Sequence, residues 1–433
     1  RRLHVVVRAR IGAWTGVAAR VKRAVGEVPV MAGTRINRLL EAERILAATG
    51  IDFVSMARPF LADPELMEKA RSGRAVNVCI ACNQACIDRS LDDRAVSCMV
   101  NPRAGHESEP ESPTVSGPAA SPGMPRLRLA VVGAGPAGLE AARDLALLGH
   151  RVELFEASSS LGGQFLLARR VPGKADFGTT VAYFGAELSR LGVRVHLRRQ
   201  IGAADQVLLA GYDGLVVATG VRPRPVDIPI SGTPRILSYP EAFAKGALEG
   251  RVAVVGGGGI GVDIAHLASH GEEAGKGIAR FRRAWGLARG RGPGPRSKRA
   301  VAVLQRGQRL GVGIGRSSRW AVLAELRHQG VEVLSGVAYR SIGPDGVRIR
   351  DGEGAARVVS AETVVIAAGQ QPETSVADLA RAAGVPLEVV GGARDVVGLD
   401  AVRAFAEGRE AAARLSRPDG AAAGRARRRA AAL

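Results

Sequence analysis

The sequence predicts an α/β protein whose parallel sheets form two nested Rossmann-like domains. Three observations support this prediction. Short apolar strands alternate with helical stretches in residues 1–78, two strands run into glycine-rich turns at residues 133 and 256, and two further apolar strands, 216–220 and 364–369, end in small residues. Strand–helix alternation indicates parallel sheets. A length of 433 residues provides for two or three such domains.

The charge of the chain is unevenly distributed. The formal net charge is +20, but residues 1–25 hold seven basic and no acidic residues, and residues 271–310 hold eleven basic against two acidic ones. A nucleic-acid-binding domain usually combines a basic face with aromatic residues for stacking, and aromatic residues are only 4% here, so we expect no nucleic-acid partner. No run of 18 apolar residues indicates a membrane span, and no signal peptide is recognisable. We therefore expect a cytoplasmic protein.

The first 78 residues contain repeated strand–helix units. The predicted elements are a helix at Gly16–Val25, a strand at Val28–Ala32, a helix at Arg38–Thr49, a strand at Asp52–Met56 that ends at Ala57-Arg58-Pro59, and a helix at Pro64–Arg71. Residues 107–126 contain five prolines with Ser and Glu, a composition typical of a linker. A basic, glycine-rich insertion follows near residues 271–300.

All four cysteines lie in one short segment, Cys79, Cys82, Cys86 and Cys98, with the spacing C-x2-C-x3-C-x11-C. Thiolates two or three residues apart converge on one soft metal centre, and the distant fourth completes the ligand set. Two disulfides would require an oxidising compartment, structural zinc usually takes paired C-x2-C motifs, and inert thiols would not cluster. The spacing favours a 4Fe-4S cluster over zinc.

The first glycine-rich turn follows the strand 129–132 and holds Gly133, Gly135, Pro136, Ala137 and Gly138. In this G-x-G-x-x-G pattern the first glycine permits the tight turn, the second lets a pyrophosphate approach, and the third lets the helix pack on the strand. The next strand ends at Glu156, which is placed to accept hydrogen bonds from an adenosine ribose. The loop that contains Gly163 and Gln164 resembles the one that flavin disulfide reductase-type folds place against FAD, which favours FAD over NAD.

The second turn holds Gly256, Gly258 and Gly261 after the strand 251–255. Its following strand, 300–304, ends in Gln305-Arg306 with Arg309 nearby, not in an acid. A carboxylate there favours the ribose hydroxyl of NAD, whereas arginine suits the 2′-phosphate of NADP. A structural glycine turn with surface arginines is the alternative, which the complete strand–turn–helix context disfavours.

The two apolar strands that end in small residues determine the predicted order of the domains. They finish at Thr219-Gly220 and at Gly369, where the chain is expected to cross between two nested domains. We therefore predict a discontinuous FAD-binding domain at 127–245 and 355–415 around an NADP-binding domain at 246–354. Residues 416–433 form a basic tail whose Arg425–Arg429 segment is predicted to be solvated or disordered.

Several segments together match one known family. They are Ser55–Asp63, Cys79–Cys86, Cys98–Arg103, Gly162–Phe165 and Val365–Gln370. With them the chain resembles the bacterial NADPH-dependent 2,4-dienoyl-CoA reductases, which are relatives of trimethylamine dehydrogenase and of the old yellow enzymes. The similarity extends from about residue 12 to 415, and the cysteine segment is its most discriminating part.

The resemblance implies a fold and a function. Residues 1–78 would be the C-terminal remnant of a (β/α)8 barrel, residues 79–106 the iron–sulfur segment, and 107–126 a linker. Electrons would pass from NADPH through FAD and the 4Fe-4S cluster to FMN and an unsaturated acyl-CoA. The FMN phosphate would bind at Gly33, Thr34, Arg35, Ala57 and Arg58, with Thr34 where the family usually has Asn, and Asp395 would face the FAD ribityl chain.

The short N-terminal part leaves alternatives open. A full barrel takes roughly 200–250 residues, so the family's catalytic His and Tyr are expected upstream of residue 1, and His4 is not assigned that role. A related amine dehydrogenase or enoate reductase is one alternative. Another is an electron-carrier (diaphorase) subunit that serves a partner chain supplying the missing barrel. A degraded or miscalled gene product is the last.

Overall fold

The computed structural model describes residues 12, 14–109, 126–270, 297 and 299–431. His4, most of the predicted linker and most of the basic insertion lie outside these ranges. The chain divides into two compact units. The first unit comprises residues 1–166, 176–221 and 372–433, and the second comprises residues 167–175 and 222–371. The chain passes between the units at four places, 166–167, 175–176, 221–222 and 371–372. The last two lie close to the ends of the two predicted crossing strands, whereas we placed the domain boundaries at 245 and 355.

Helices and strands alternate along most of the described chain. The helices are α1 (Thr15–Val25), α2 (Leu39–Thr49), α3 (Ala57–Ala62), α4 (Leu66–Arg71), α5 (Ile87–Leu91), α6 (Pro136–Leu147), α7 (Gln164–Ala168), α8 (Phe177–Arg190), α9 (Gln206–Ala210), α10 (Tyr239–Ala242), α11 (Gly259–Ser269), α12 (Arg316–His328), α13 (Ser375–Ala382), α14 (Ala401–Leu415) and α15 (Ala421–Ala431). The strands are β1 (Met31–Ala32), β2 (Phe53–Val54), β3 (Arg128–Val132), β4 (Arg151–Glu156), β5 (Arg194–Leu197), β6 (Gly214–Val217), β7 (Val221–Pro223), β8 (Ile236–Ser238), β9 (Val252–Val255), β10 (Val301–Gln305), β11 (Glu332–Ser335), β12 (Ala338–Gly343), β13 (Gly346–Arg350), β14 (Ala356–Ser360), β15 (Thr363–Ile366), β16 (Gln370–Pro372) and β17 (Leu387–Val389). In this part of the chain, no helix combines the length and the apolar character that crossing a membrane requires.

The N-terminal part of the first unit is a small strand–helix assembly. Strands β1 and β2 pair in parallel, with Met31 opposite Phe53. Both strands are shorter than predicted, and these two side chains are 62% and 54% exposed. Helix α3 occupies the stretch where we predicted only the end of a strand. Pro59 fits there because proline is tolerated in the first turn of a helix, where its missing N–H has no intrahelical partner.

The main sheet of the first unit has five strands in the order β17-β6-β3-β4-β5. All neighbouring pairs are parallel. Successive side chains of β3 alternate between two cores, with Leu129 and Val131 on one face and Ala130 and Val132 on the other. Such burial on both faces explains why the strand is a continuous apolar run.

Helix α14 packs on helix α6 through a glycine. A Cβ added at Gly408 would collide with the backbone carbonyl oxygen of Ala137, so the two helices approach as closely as their backbones allow. Phe405 on α14 stacks on Phe184 with ring centroids 5.6 Å apart and meets Phe165 edge-on at 5.7 Å. The last part of the chain therefore covers the helix that follows the first glycine-rich turn.

The cysteine segment is part of the first unit's core. Ile80, Met99 and Val100 are buried in the same cluster as Leu129 and Val131, and three of the cysteines, Cys79, Cys82 and Cys98, pack against it. We expected the proline-rich linker to separate the cysteine segment from the nucleotide domain. That expectation is wrong, because the apolar residues between and after the cysteines are buried in the same core as the strand before the glycine turn.

The second unit contains a parallel and an antiparallel sheet. The parallel sheet has five strands in the order β11-β10-β9-β15-β8, and the antiparallel one has the order β12-β13-β14. Strand β9 repeats the alternation of β3, with Val252 and Val254 on one face and Ala253 and Val255 on the other. The two strands that lead into the glycine-rich turns, β3 and β9, are thus both buried on two faces.

The C-terminal basic segment is helical. Within α15, Ala422 and Ala423 are buried. The guanidinium of Arg425 donates to the backbone carbonyl oxygens of Ala210, Tyr212 and Gly384. The prediction of a solvated or disordered Arg425–Arg429 segment is therefore wrong for Arg425. Its partners are more than 40 positions away in the sequence, and the composition of the tail gives no sign of them.

Candidate functional site

The four cysteines line one pocket. Its other lining residues are Arg58, Leu61, Ile80, Asn83, Met99 and Val100. All four cysteines are free. The spacing that suggested a common centre therefore brings the thiols to one pocket.

Two left-handed backbone positions shape the loop that carries the first three cysteines. Ala81 has a φ of 53° and Asn83 a φ of 65°, one on each side of Cys82. Asparagine adopts this conformation at little cost, whereas alanine is strained there. The side-chain amide of Asn37 donates to the carbonyl oxygen of Cys79 at 2.7 Å. The two positive φ values prevent a regular helix or strand at these residues, and the hydrogen bond from Asn37 holds the loop in its turn.

Burial governs the acidity of the thiols. Desolvation is the largest cause that raises the pKa of each of the four, and the pKa of Cys98 rises to about 12. Neighbouring cysteines raise the pKa of Cys82, Cys86 and Cys98 further, whereas Arg58 lowers the pKa of Cys79 and Cys86. Such thiols stay protonated unless cations compensate the thiolate charge, as metal ligation does. This donor set fits soft metal chemistry and does not fit a solvent-exposed reactive cysteine.

The first glycine-rich turn has three glycines with different surroundings. A Cβ at Gly133, whose φ is 103°, would collide with the carbonyl oxygen of Ala218, and a Cβ at Gly138 would collide with that of Gly133. Gly135 faces open space. Pro136 and Ala137 begin helix α6. The turn therefore needs two glycines for its own packing, and Gly135 leaves room for a phosphate next to a helix N-terminus.

Glu156 lies beside this turn. Its carboxylate accepts hydrogen bonds from the amides of Ala134 at 2.7 Å and Ser158 at 2.8 Å. The loop before Gln164 packs on the same turn, because a Cβ at Gly163 would come within 2.9 Å of the Gly135 Cα. The structure thus brings the predicted acid and the predicted loop to the glycine turn.

Thr219, Gly220 and Asp395, which were also predicted to bind FAD, differ from one another in their surroundings. The Thr219 hydroxyl donates to the carbonyl oxygen of Glu373 at 2.5 Å, and Gly220 faces open space. The Asp395 carboxylate accepts from Arg403 at 2.9 Å. Asp395 is therefore held in an ion pair on the same unit as the glycine turn.

The second glycine-rich turn repeats the first. A Cβ at Gly256 would collide with the carbonyl oxygen of Ala367, and a Cβ at Gly261 would collide with that of Gly256. Gly258 faces open space. Gly369, at the end of the crossing strand, has a φ of 116° and lies beside the Arg224 guanidinium. The second unit therefore has the same open glycine position directly before helix α11.

Gln305 was not among the predicted site residues, although it lies where Glu156 lies in the first unit. Its side chain is buried, its Oε1 occupies the space where Gly257 would carry a Cβ, and its Nε2 donates to the Ser335 hydroxyl at 2.8 Å. Arg306 and Arg309 follow with exposed side chains. The signal was available in the sequence, because Gln305 ends the strand after the turn as Glu156 does.

The residues predicted for the FMN phosphate come together only in part. Pairing of β1 with β2 sets Gly33 beside Ser55, two positions before Ala57. Thr34 and Arg35 both have positive φ values, 90° and 52°. The Arg35 guanidinium, however, donates to Asp176 at 3.3 Å, and the Arg58 guanidinium donates to Asn83 at 2.5 Å in the cysteine pocket.

Two family models match this sequence. The one described as pyridine nucleotide-disulphide oxidoreductase matches residues 127–394. The one described as NADH:flavin oxidoreductase / NADH oxidase family matches residues 8–77. The first match includes both glycine-rich turns, and the second ends just before the cysteines. Both families support binding of a flavin and a nicotinamide nucleotide.

Curated relatives and solved structures extend over most of the chain. A metal reductase of Desulforamulus reducens is 33% identical over 84% of this chain and 54% of its own length. An NADH oxidase of Thermoanaerobacter brockii is 30% identical over 82% of this chain and 50% of its own length. A structure of 2-naphthoyl-CoA reductase with 2-naphthoyl-CoA covers 94% of this chain and 57% of its own, with 26% identity and a TM-score of 0.78. The chain spans about half the length of the curated relatives it matches.

Proposed function

The chain belongs to the pyridine nucleotide-disulphide oxidoreductase family, and on that premise we propose that it supplies electrons to the reduction of an unsaturated acyl-CoA. In this proposal electrons pass from NADPH through FAD and a cysteine-bound 4Fe-4S cluster to FMN, as in the 2,4-dienoyl-CoA reductases. FAD held at the first glycine-rich turn would supply the conversion of a two-electron hydride donor into single electrons, which a one-electron cluster requires.

The pocket lined by four thiols is the observation that carries the proposal. Zinc draws its thiolate ligands to one ion at about 2.3 Å, and the described residues bring no three His, Cys, Asp or Glu side chains into an arrangement that could hold a single metal ion. A 4Fe-4S cluster binds each thiolate through a different iron. It therefore fits thiols that lie on the walls of a shared pocket.

The two glycine turns support different nucleotides. At the first, the Glu156 carboxylate accepts backbone hydrogen bonds beside the turn and has a charge that suits ribose hydroxyls. At the second, Gln305 has no charge to repel a phosphate, and Arg306 follows it with an exposed guanidinium. We therefore assign FAD to the first unit and NADPH to the second, with Arg306 and Arg309 toward the 2′-phosphate.

The acceptor end of the proposal rests on the N-terminal part. Residues 8–77 match the NADH:flavin oxidoreductase family, and the similar 2-naphthoyl-CoA reductase acts on an acyl-CoA. We assign the FMN phosphate to the loops at Gly33–Arg35 and Ala57. The exposed Met31 and Phe53 support a further proposal, that more barrel strands from a partner chain cover this two-stranded sheet.

The cluster is tested by chemical analysis of anaerobically purified protein. We expect iron and acid-labile sulfide near four each per chain, the content of a cubane cluster. Cys82→Ser should lose both, whereas Ser97→Ala, which changes a buried hydroxyl in the same segment, should retain them. Zinc without iron in wild-type protein from iron-replete cells contradicts the proposal.

A pair of assays on one preparation tests the rest. We expect the 433-residue chain to reduce ferricyanide with NADPH but not to reduce a dienoyl-CoA, because the described strands β1 and β2 do not form a closed barrel. Ferricyanide reduction that requires FAD supports the assigned electron entry. Dienoyl-CoA turnover by this chain alone would contradict the need for further barrel strands, and an absence of both activities would contradict the electron-supplying role.

A further inference from the structure

Arg58 is the charged residue among those that line the cysteine pocket. It lies four positions after Val54, the last residue of β2, in the first turn of α3, and its side chain is half-buried. The remaining lining residues are apolar, a thiol or an amide. One positive charge therefore lines a pocket that also holds four thiols and little other polar material.

Asn83 holds the Arg58 guanidinium in place. Nη1 of Arg58 donates to Oδ1 of Asn83 at 2.5 Å. Asn83 is only 5% exposed, its φ is 65°, and its own carbonyl oxygen accepts from the amide of Asp88 at 3.0 Å. A left-handed asparagine between the second and third cysteines thus serves as an anchor whose backbone and side chain are both fixed.

We propose that the positive charge of Arg58, whose guanidinium is held in place by Asn83, raises the reduction potential of the cluster. This inference rests on the proposed function, because it assumes that the four cysteines hold a redox cluster. It goes beyond the family resemblance, which assigned Arg58 to a flavin phosphate.

The direction of the effect follows from charge. Reduction adds one negative charge to a cluster, and a nearby cation stabilises that state more in an apolar pocket than it would in water. Arg58 lines the same pocket as the four thiols, and its hydrogen bond to Asn83 holds the guanidinium there. A second cation of this region, Arg35, is not among the residues that line the pocket and is paired with Asp176. Arg58 therefore supplies the main positive charge.

The measurement is a redox titration of the anaerobic, cluster-loaded chain, followed by the electron paramagnetic resonance of the reduced cluster. In Arg58→Met we expect the ratio of reduced to oxidised cluster at a fixed potential to fall about tenfold, a downward shift of about 59 mV for one electron. Arg58→Lys keeps the charge and should shift less. Asn83→Gly keeps the left-handed backbone but releases the guanidinium, so its potential should fall between those of the wild type and Arg58→Met.

Arg94→Met is the matched control, because it removes the same charge from an exposed site between Cys86 and Cys98. Its potential should equal that of the wild type. An unchanged potential in Arg58→Met with full iron content overturns the inference and leaves the cluster proposal intact. If Arg58→Met loses its iron, Asn83→Gly decides, and a wild-type potential there overturns the inference. Wild-type protein without iron contradicts the proposed function itself.

Discussion

Replacing Arg103 by methionine should open the contact between the cysteine segment and helix α6. The Arg103 side chain is 5% exposed, and its two terminal nitrogens reach two carboxylates of α6 that are each 1% exposed. Nη1 donates to Oε1 of Glu140 at 2.8 Å, and Nη2 donates to Asp144. Arg143 lies 3.6 Å from both carboxylates and provides the remaining positive charge. Removal of Arg103 therefore leaves two buried acids with one buried base.

The expected cost is large for a single substitution. Breaking a buried ion pair by removing one partner costs about 3–5 kcal/mol. Since every 1.4 kcal/mol is a factor of about ten, amide hydrogens of α6 should exchange faster by a factor between about one hundred and several thousand. Exchange of individual helices is the suitable measurement, because a chain with two compact units need not unfold in a single step.

The cost should depend on pH in a defined direction. Burial raises the pKa of Glu140 above 4.5, Asp144 raises it further, and Arg103 and Arg143 oppose these effects. The folded state then binds a proton more tightly than the unfolded state, so this carboxyl favours folding as pH falls through the raised pKa and disfavours it as pH rises. Arg103 lowers the pKa of Glu140, so its loss should raise that pKa further. The destabilisation of Arg103→Met should be largest near pH 8 and smaller near pH 5.5.

Two further variants complete the test. Arg381→Met removes an ion pair with Asp378 whose side chains are 59% and 67% exposed, and exposed pairs contribute at most about 1 kcal/mol, so exchange in α6 should not change. Glu140→Gln in the Arg103→Met background should recover part of the loss, because it removes one unpaired charge. A change of less than about threefold in α6 at pH 8, where a few kcal/mol are expected, would refute the reasoning, as would equal effects at both pH values.

Two other predictions concern the nucleotide sites. Gly138→Ala should abolish FAD binding and perturb the fold, since its methyl group collides with the Gly133 carbonyl oxygen. Gly135→Ala should keep the circular dichroism spectrum and weaken FAD binding by about five- to 150-fold, from an overpacking cost of about 1–3 kcal/mol. Equal flavin content in both variants would contradict this. Arg306→Ala should raise the KM for NADPH by about ten- to two-hundredfold, because a charge-assisted hydrogen bond of about 1.5–3 kcal/mol is lost. The KM for NADH should stay nearly unchanged. Equal use of both nucleotides by the wild type would contradict this expectation.

The sequence was enough to predict those parts of the fold whose geometry depends on residues close together in the chain. The turns at Gly133 and Gly256 were predicted because a strand, a turn and a helix within a few residues leave one arrangement of the backbone. The common location of the four thiols was predicted from their spacing alone. Helix α2 was predicted to within one residue, as Arg38–Thr49 against the observed Leu39–Thr49.

Long-range contacts account for what the sequence analysis missed. The two carboxylate partners of Arg103 lie 37 and 41 positions away, and that of Arg35 lies 141 away. No pattern within one segment indicates that Arg58 faces the cysteines or that Arg425 fixes the last helix. Gln305 is different, because its position at a strand end was visible, and only comparison with Glu156 reveals its place beside the turn.

The division of the first unit along the chain has a consequence for synthesis. Its sheet takes its edge strand β17 and its covering helix α14 from residues beyond 386, whereas every residue of the second unit has been made by residue 371. On the ribosome the second unit is therefore complete while helix α6 still lacks Gly408 and Phe405 as neighbours. A stop codon shortly after residue 371 would release a finished second unit attached to an open first one, and such a product should be a target for proteases.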